Sequence, residues 1–100
     1  MKVLVSCANG SGTSLMMKKT VEKALKKMGF NVMQIHHCPI SEGKSIAGTY
    51  DVVFTPLNFV DMFKHAKDKG IPIIGVKNVL SEKEVTELVT ASELPNKFLK

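Results

Sequence analysis

Cys7 is the first residue whose type and setting could do chemistry. It ends a short apolar stretch and leads directly into a segment rich in glycine and hydroxyl side chains. Glycine allows backbone angles that other residues avoid, so consecutive amides of this segment can turn inward and bind an anion. A thiol facing such amides is expected to have a lowered pKa, and the thiolate is the nucleophilic form. The predicted phosphate-binding loop comprises Ala8, Asn9, Gly10, Ser11, Gly12, Thr13 and Ser14.

Three known phosphate loops can be compared with this segment. A nucleoside-triphosphate loop needs a lysine before its last hydroxyl residue, and a dinucleotide loop needs a third glycine; both are missing. In the loop of cysteine phosphatases, Cys7 and Ser14 fall in register, but Thr13 occupies the position of the arginine that binds the phosphoryl dianion. This predicts a phosphocysteine that forms but is not quickly hydrolysed, as a carrier requires. The alternative is that Cys7 is a small buried apolar residue beside a tight turn.

Short apolar stretches alternate with amphipathic ones along the chain. Glycine, proline and a serine-led capping box mark the ends of the helices. Parallel strands with helices on both faces are the expected result, and ligands then bind beyond the carboxyl ends of the strands. We predict strands over residues 2–7, 30–37, 51–55 and 71–76, helices over residues 13–27, 55–68 and from 81 onward, and a loop or weak helix over residues 41–49.

Length and composition exclude several classes of protein. The chain has 100 residues, of which 44% are hydrophobic and 23% charged, as in a single globular domain. No apolar run approaches the roughly 20 residues of a membrane span, and no signal peptide is recognised. Two cysteines favour a reducing cytosol. The net charge of +5 favours acidic partners or phosphorylated ligands, whereas one tyrosine and no tryptophan argue against nucleic acid.

Three segments together resemble one family. Residues 7–18 (CANGSGTSLMMK), 38–45 (CPISEGKS) and 75–81 (GVKNVLS) are similar to segments of the IIB components of the bacterial phosphoenolpyruvate-dependent sugar phosphotransferase system (PTS), ascorbate type. The similarity covers about residues 3–90. Ala8 replaces a common glycine and Thr13 a common serine, which keeps the loop small.

The resemblance implies a fold and a role. We predict an α/β domain over residues 1–92 with a frayed tail over residues 93–100. It would be a three-layer, open, four-stranded parallel sheet in the order 2-1-3-4. Cys7 would accept a phosphoryl group from a phosphohistidine of a IIA protein or domain and pass it to a sugar or sugar acid held by the membrane transporter IIC. The Ser14 hydroxyl would donate a hydrogen bond to the sulfur.

The resemblance also carries expectations about substrate and setting. L-ascorbate is the favoured substrate, and galactitol or another sugar is the alternative. No cofactor is expected, and the chain would work in the cytoplasm beside the transporter without inserting into the membrane. Functions of another class stay open: a small cysteine phosphatase, a thiol reductase, or a passive anion-binding regulatory module in which Cys7 is incidental.

Cys38 is a possible neighbour of Cys7, because it ends the second predicted strand. It could form a redox pair with Cys7 or tune that thiol, or it could simply be a small buried residue. His36, His37 and Cys38 invite a metal site, but successive strand residues face opposite sides of a sheet. His36 and His37 therefore cannot both converge, and no metal is expected.

Overall fold

In the part of the chain that the structure describes, four strands alternate with helices, as predicted. The structure is a computed structural model and describes residues 2–7, 12–77 and 81–92; the predicted loop residues 8–11 and the predicted tail 93–100 lie outside them. The strands are β1 (Lys2–Cys7), β2 (Gln34–Pro39), β3 (Val52–Pro56) and β4 (Ile73–Val76). The helices are α1 (Gly12–Lys27), α2 (Ile40–Ile46), α3 (Lys64–Asp68) and α4 (Glu82–Ala91), with 3-10 helices over Ala47–Thr49 and Leu57–Phe63.

β1 is a central strand of one parallel sheet. It pairs with β2 on one side and with β3 on the other, and β4 lies beyond β3. The order β2-β1-β3-β4 confirms the prediction. Residues 3–7 of β1 are all buried, because helices cover both faces of this strand. All four carboxyl ends lie along the same edge of the sheet, where the predicted loop follows Cys7.

The sheet separates two apolar clusters. Odd-numbered residues of β1, among them Val5 and Cys7, pack with buried residues of α1 and α4. Leu4 packs on the other face with Phe63 and Ala66, from the segment that follows β3. The alternation of side chains along a strand therefore assigns each β1 residue to one layer of helices.

β2 differs from its predicted range. It begins at Gln34 instead of residue 30 and continues through Pro39. Gly29 ends α1 with a φ of 93°, as predicted, and the chain needs several further residues to reach the sheet. Pro39 is tolerated because β2 is an edge strand, where a missing N–H disrupts only one side of the ladder.

The helix predicted from Thr55 onward also differs. Pro56 is still extended, with φ −58° and ψ 144°, and a 3-10 helix over Leu57–Phe63 precedes α3. Thr55 does not cap it: its hydroxyl is buried, and the described residues offer it no hydrogen-bond partner. The Ser81 cap is confirmed, because its side chain accepts a hydrogen bond from the Glu84 N–H at 3.1 Å.

α1 carries a basic outer face of five lysines. Two of them reach carboxylates: Lys26 lies 3.9 Å from Glu22, and Lys27 lies 3.8 Å from Glu82 of α4. Exposed pairs of this kind add roughly 1 kcal/mol at most to stability. Within the described ranges, no helix has both the length and the apolar character needed to cross a bilayer.

Candidate functional site

Cys7 ends β1 with its side chain almost fully buried, at 1% exposure. Its thiol donates a hydrogen bond to the Met17 thioether, with 3.4 Å between the two sulfur atoms. Met17 lies on the buried face of α1 and is fully covered. The sulfur of Cys7 therefore lies between the end of β1 and α1, on the face of the sheet shared with α4.

The pKa of the Cys7 thiol is raised, not lowered. Burial raises it from 9.0 to about 11, and the neighbouring Cys38 adds to the increase. The sequence-based expectation of a lowered pKa is wrong for this structure, because loss of water around the sulfur penalises the anion. With this pKa, about one thiol in 10,000 is ionised at pH 7. A reaction at Cys7 therefore has to move the thiol proton as well as form a bond.

The segment that follows Cys7 joins the carboxyl end of β1 to the start of α1. Ala8, Asn9, Gly10 and Ser11 lie outside the described residues. Gly12, Thr13 and Ser14 form the first turn of α1, where backbone amides have no partner within the helix. The positive end of the helix dipole favours an anion at such a position. The loop roles predicted for these seven residues remain predictions.

Cys38 lies on the other face of the sheet from Cys7. In the parallel register the partner of Cys38 is Ser6, and the partner of Cys7 is Pro39. Cys38 is 3% exposed and packs in the cluster of Leu4, whereas Cys7 packs with α1 and α4. This placement fits the small buried residue considered above and argues against a redox pair, because a disulfide needs Cβ atoms that face each other.

Cys38 lies beside His36 and Glu42, and the sequence pattern did not predict this cluster of three polar side chains. The donor atoms of His36, Cys38 and Glu42 all lie within 4.8 Å of one another. His36 and His37 face opposite sides of the sheet, as predicted, because their partners are the adjacent residues Leu4 and Val5. The available signal was the alternation of His36 and Cys38 on a strand, followed by Glu42 in the first turn of the next helix.

A surface groove lies at the other end of α1 from Cys7. Its volume is about 530 Å³, and Lys27 and Met28 line it together with residues of α4. The end of α1 that borders it is about 22 Å along the helix axis from Gly12. The groove is therefore separate from the end of β1.

Comparison with known proteins identifies the class. A sequence profile described as "PTS system, Lactose/Cellobiose specific IIB subunit" matches residues 2–91. The chain belongs to this family of IIB components of the sugar phosphotransferase system. IIB components are phosphotransferases that act through cysteine, and they work with IIA and IIC partners.

Two individual proteins illustrate the relationship. The chain is 27% identical over 89 residues to the "Ascorbate-specific PTS system EIIB component" of Mycoplasma pneumoniae, covering 88% of this chain and 90% of that protein. Its fold is similar to the solved lactose-specific IIB domain of Streptococcus pneumoniae. That match has a TM-score of 0.66 and 23% identity and covers 91% of this chain and 95% of the other.

Proposed function

We propose that Cys7 carries a phosphoryl group between a IIA donor and a substrate held by IIC. In the first step, the Cys7 sulfur forms an S–P bond while the N–P bond of the donor phosphohistidine breaks. In the second, a substrate hydroxyl oxygen forms an O–P bond while the S–P bond breaks. The observation that carries the proposal is the position of Cys7, at the carboxyl end of a central strand, five residues before α1 begins at Gly12.

The loop supplies the binding of the phosphoryl oxygens in this proposal. Amides of residues 8–14 donate hydrogen bonds to them, and the Ser14 hydroxyl donates one to the sulfur. Thr13 provides no guanidinium that could stabilise attack by water. The phosphocysteine then persists long enough to reach the transporter, which distinguishes a carrier from a phosphatase.

The raised pKa of Cys7 is compatible with this chemistry. Breaking the N–P bond leaves a basic imidazole nitrogen on the donor, and this nitrogen takes the thiol proton. In the second step the substrate hydroxyl proton returns to the sulfur. Both steps therefore balance without a stable thiolate, and the free carrier stays protonated and protected from oxidation.

The surface around the carboxyl edge suits a partner protein. Leu15 and Met16, in the first turns of α1, are 42% and 50% exposed, and Leu57, directly after β3, is 46% exposed. Apolar side chains exposed together at one edge are typical of an interaction surface. We assign this edge to docking of the IIA donor, with the chain working in the cytoplasm beside the transporter.

L-ascorbate is the substrate class that we favour. The support is the relative from Mycoplasma pneumoniae, which is described as ascorbate-specific and aligns with most of the chain. The second candidate is a disaccharide of the lactose or cellobiose type, which the description of the matching family favours. Both candidates use the same phosphocysteine step and differ in the IIC partner.

The test is phosphorylation of sugars in membranes that contain the candidate IIC, with a phosphoenolpyruvate-fed IIA donor. Labelled ascorbate, lactose, cellobiose and galactitol are supplied separately. We expect ascorbate phosphate to accumulate with the wild-type chain and not with Cys7→Ala. Phosphorylation of only a disaccharide would reject the ascorbate assignment, and unchanged activity of Cys7→Ala would reject the carrier mechanism.

A further inference from the structure

Three donor groups converge on the face of the sheet opposite Cys7. The Cys38 thiol, the His36 imidazole and the Glu42 carboxylate lie within 4.8 Å of one another. His36 Nε2 and Glu42 Oε2 lie 3.4 Å apart. His36 and Cys38 share a face because they alternate along β2, and α2 begins directly after that strand.

The Cys38 thiol is buried, whereas the His36 imidazole and the Glu42 carboxylate are accessible to solvent. Cys38 is 3% exposed, whereas the side chains of His36 and Glu42 are 41% and 56% exposed. The ring of His36 stacks on Tyr50 with an interplanar angle of 15°, which restricts its orientation. One side of the cluster is therefore protein and the other opens to solvent.

A buried hydroxyl lies beside the thiol. Ser6 is the register partner of Cys38 and is fully buried, and the described residues offer its hydroxyl no well-formed hydrogen bond. A Cβ atom placed on Gly43 would lie 2.3 Å from the Ser6 oxygen and 3.3 Å from the Cys38 sulfur, so both atoms converge beside α2. A hydroxyl in that position can turn its proton toward a thiolate and support it as an outer-shell donor.

We propose that Cys38, His36 and Glu42 bind a zinc ion between β2, the edge strand of the sheet, and α2. Thiolate, imidazole and carboxylate are the three ligand types that zinc prefers. In tetrahedral coordination, donor atoms of these types are separated by about 3.3–3.7 Å. The His36–Glu42 distance already matches this separation, and the sulfur has to move by about 1 Å at most. Water fills the fourth position on the open side.

Binding changes one covalent bond. The Cys38 S–H bond breaks, its proton leaves to solvent, and the sulfur forms a bond to zinc, with no change in oxidation state. The two negative charges of thiolate and carboxylate then neutralise the ion. Zinc would connect β2 to α2 next to the strand that ends at Cys7, and this site is independent of the phosphocarrier proposal.

The experiment uses the untagged full chain with cobalt as a spectroscopic substitute for zinc. Cobalt bound to a thiolate gives a sulfur-to-metal charge-transfer band in the near ultraviolet. We expect this band to saturate at one ion per chain and to disappear when zinc is added. Cys38→Ser should abolish it. His36→Gln and Glu42→Gln change exposed side chains, and each should weaken cobalt binding by more than about 100-fold. Loss of a residue that only hydrogen-bonds a metal ligand costs roughly 10–100-fold, and loss of a ligand itself should cost more.

Two variants serve as matched controls. His37→Gln changes the adjacent histidine on the opposite face, and Cys7→Ser removes the other thiol; both should keep the band and its affinity. Absence of the band in the wild-type chain would overturn the proposal. So would a band that survives in Cys38→Ser, a band that is lost in Cys7→Ser, or unchanged affinity in both His36→Gln and Glu42→Gln.

Discussion

The sulfur atoms of Cys7 and Cys38 lie on opposite faces of the sheet, although their strands are hydrogen-bonded neighbours. Cys7 packs against Met17 of α1, and Cys38 lies beside Ser6 and α2. The two thiols influence each other electrostatically through the sheet, because Cys38 contributes to the raised pKa of Cys7. Their side chains nevertheless pack in two separate clusters, one on each face of the sheet.

This separation predicts that oxidation does not form an intramolecular disulfide. The side chains cannot approach to bonding geometry unless the register of β1 and β2 breaks. Treatment of the folded chain with a thiol-specific oxidant should give no species that has lost two hydrogens, as measured by intact mass. The same treatment in denaturant is the control that the thiols can react. A folded, monomeric chain with a Cys7–Cys38 bond would contradict the arrangement.

The pKa of Cys7 predicts how stability depends on pH. The folded value is about 11, whereas an exposed thiol in the unfolded chain titrates near 8.5–9. Between these values the unfolded chain releases a proton that the folded chain keeps. The free energy of unfolding therefore falls as pH rises through this window, by up to about 1.4 kcal/mol per pH unit for one thiol.

Cys7→Ala removes this contribution, whereas Cys38, whose pKa burial also raises to about 11, still contributes its own. Urea unfolding of both proteins at a series of pH values should give a shallower decline for the variant. The variant starts from a lower stability because its smaller side chain leaves a cavity, so the slope is the informative quantity. Equal slopes for the two proteins would show that the Cys7 pKa is not raised by burial.

Gly43 is predicted to tolerate no side chain. An alanine Cβ would lie 2.3 Å from the Ser6 oxygen and 2.9 Å from the Ser6 Cβ, which are atoms of a fully buried residue. Gly43→Ala should lower the free energy of unfolding by about 1–3 kcal/mol despite the better helix propensity of alanine. Chemical denaturation measures this difference.

Gly48→Ala is the matched control. Its Cβ would meet the end of the Lys69 side chain at 3.2 Å, and a flexible exposed lysine can move away. We expect a change within about 0.5 kcal/mol. Ser6→Ala combined with Gly43→Ala should recover part of the loss because it removes the closest contact. Equal effects of the two glycine substitutions would contradict the packing described here.

Met16 is predicted to contribute to docking of the IIA donor. Met16→Glu places a charge on an exposed apolar position in the first turns of α1, where a substitution should change the stability of the fold little. We expect the rate of phosphoryl transfer from IIA to fall by about tenfold or more, from the loss of roughly 1–2 kcal/mol of apolar contact. Rapid-quench kinetics with purified phosphorylated IIA measures that rate.

Met33→Glu is the corresponding control. Met33 is 75% exposed but precedes β2, at the opposite edge of the sheet from the end of β1. Its transfer rate should equal that of the wild-type chain. The docking assignment fails if both substitutions slow transfer equally or if Met16→Glu has no effect.

The sheet could be predicted from the sequence because its signals are local or pairwise. β1 is mostly apolar, which is typical of a buried central strand, and Gly29 ends α1 where the periodicity ends. The bounds of β2 were predicted wrongly at both ends: residues 30–33 connect Gly29 to the sheet, and Pro39 still pairs with β1 because β2 is an edge strand. Thr55 has the local pattern of a helix cap, but tertiary packing keeps Pro56 extended and buries the hydroxyl.

The position of the reactive cysteine could be predicted from the sequence, but the direction of its pKa shift could not. The strand–glycine–helix pattern located Cys7 at the carboxyl end of β1. It also predicted a lowered pKa, since it considered only the helix dipole and the amides. Burial of the sulfur, which contacts Met17 ten positions away, reverses the direction, and Cys38 adds to the increase. The group of His36, Cys38 and Glu42 depends on how α2 folds back on β2, which no single motif encodes.

The central claim is that the Cys7 sulfur itself forms a bond to phosphorus. The most direct measurement is peptide mass spectrometry of the chain after incubation with phosphorylated IIA, with fragmentation that keeps the S–P bond intact. We predict a single phosphoryl group on the peptide that contains Cys7, absent in Cys7→Ser and retained in Cys38→Ser. A phosphoryl group found on another residue, or one that persists in Cys7→Ser, would contradict the account.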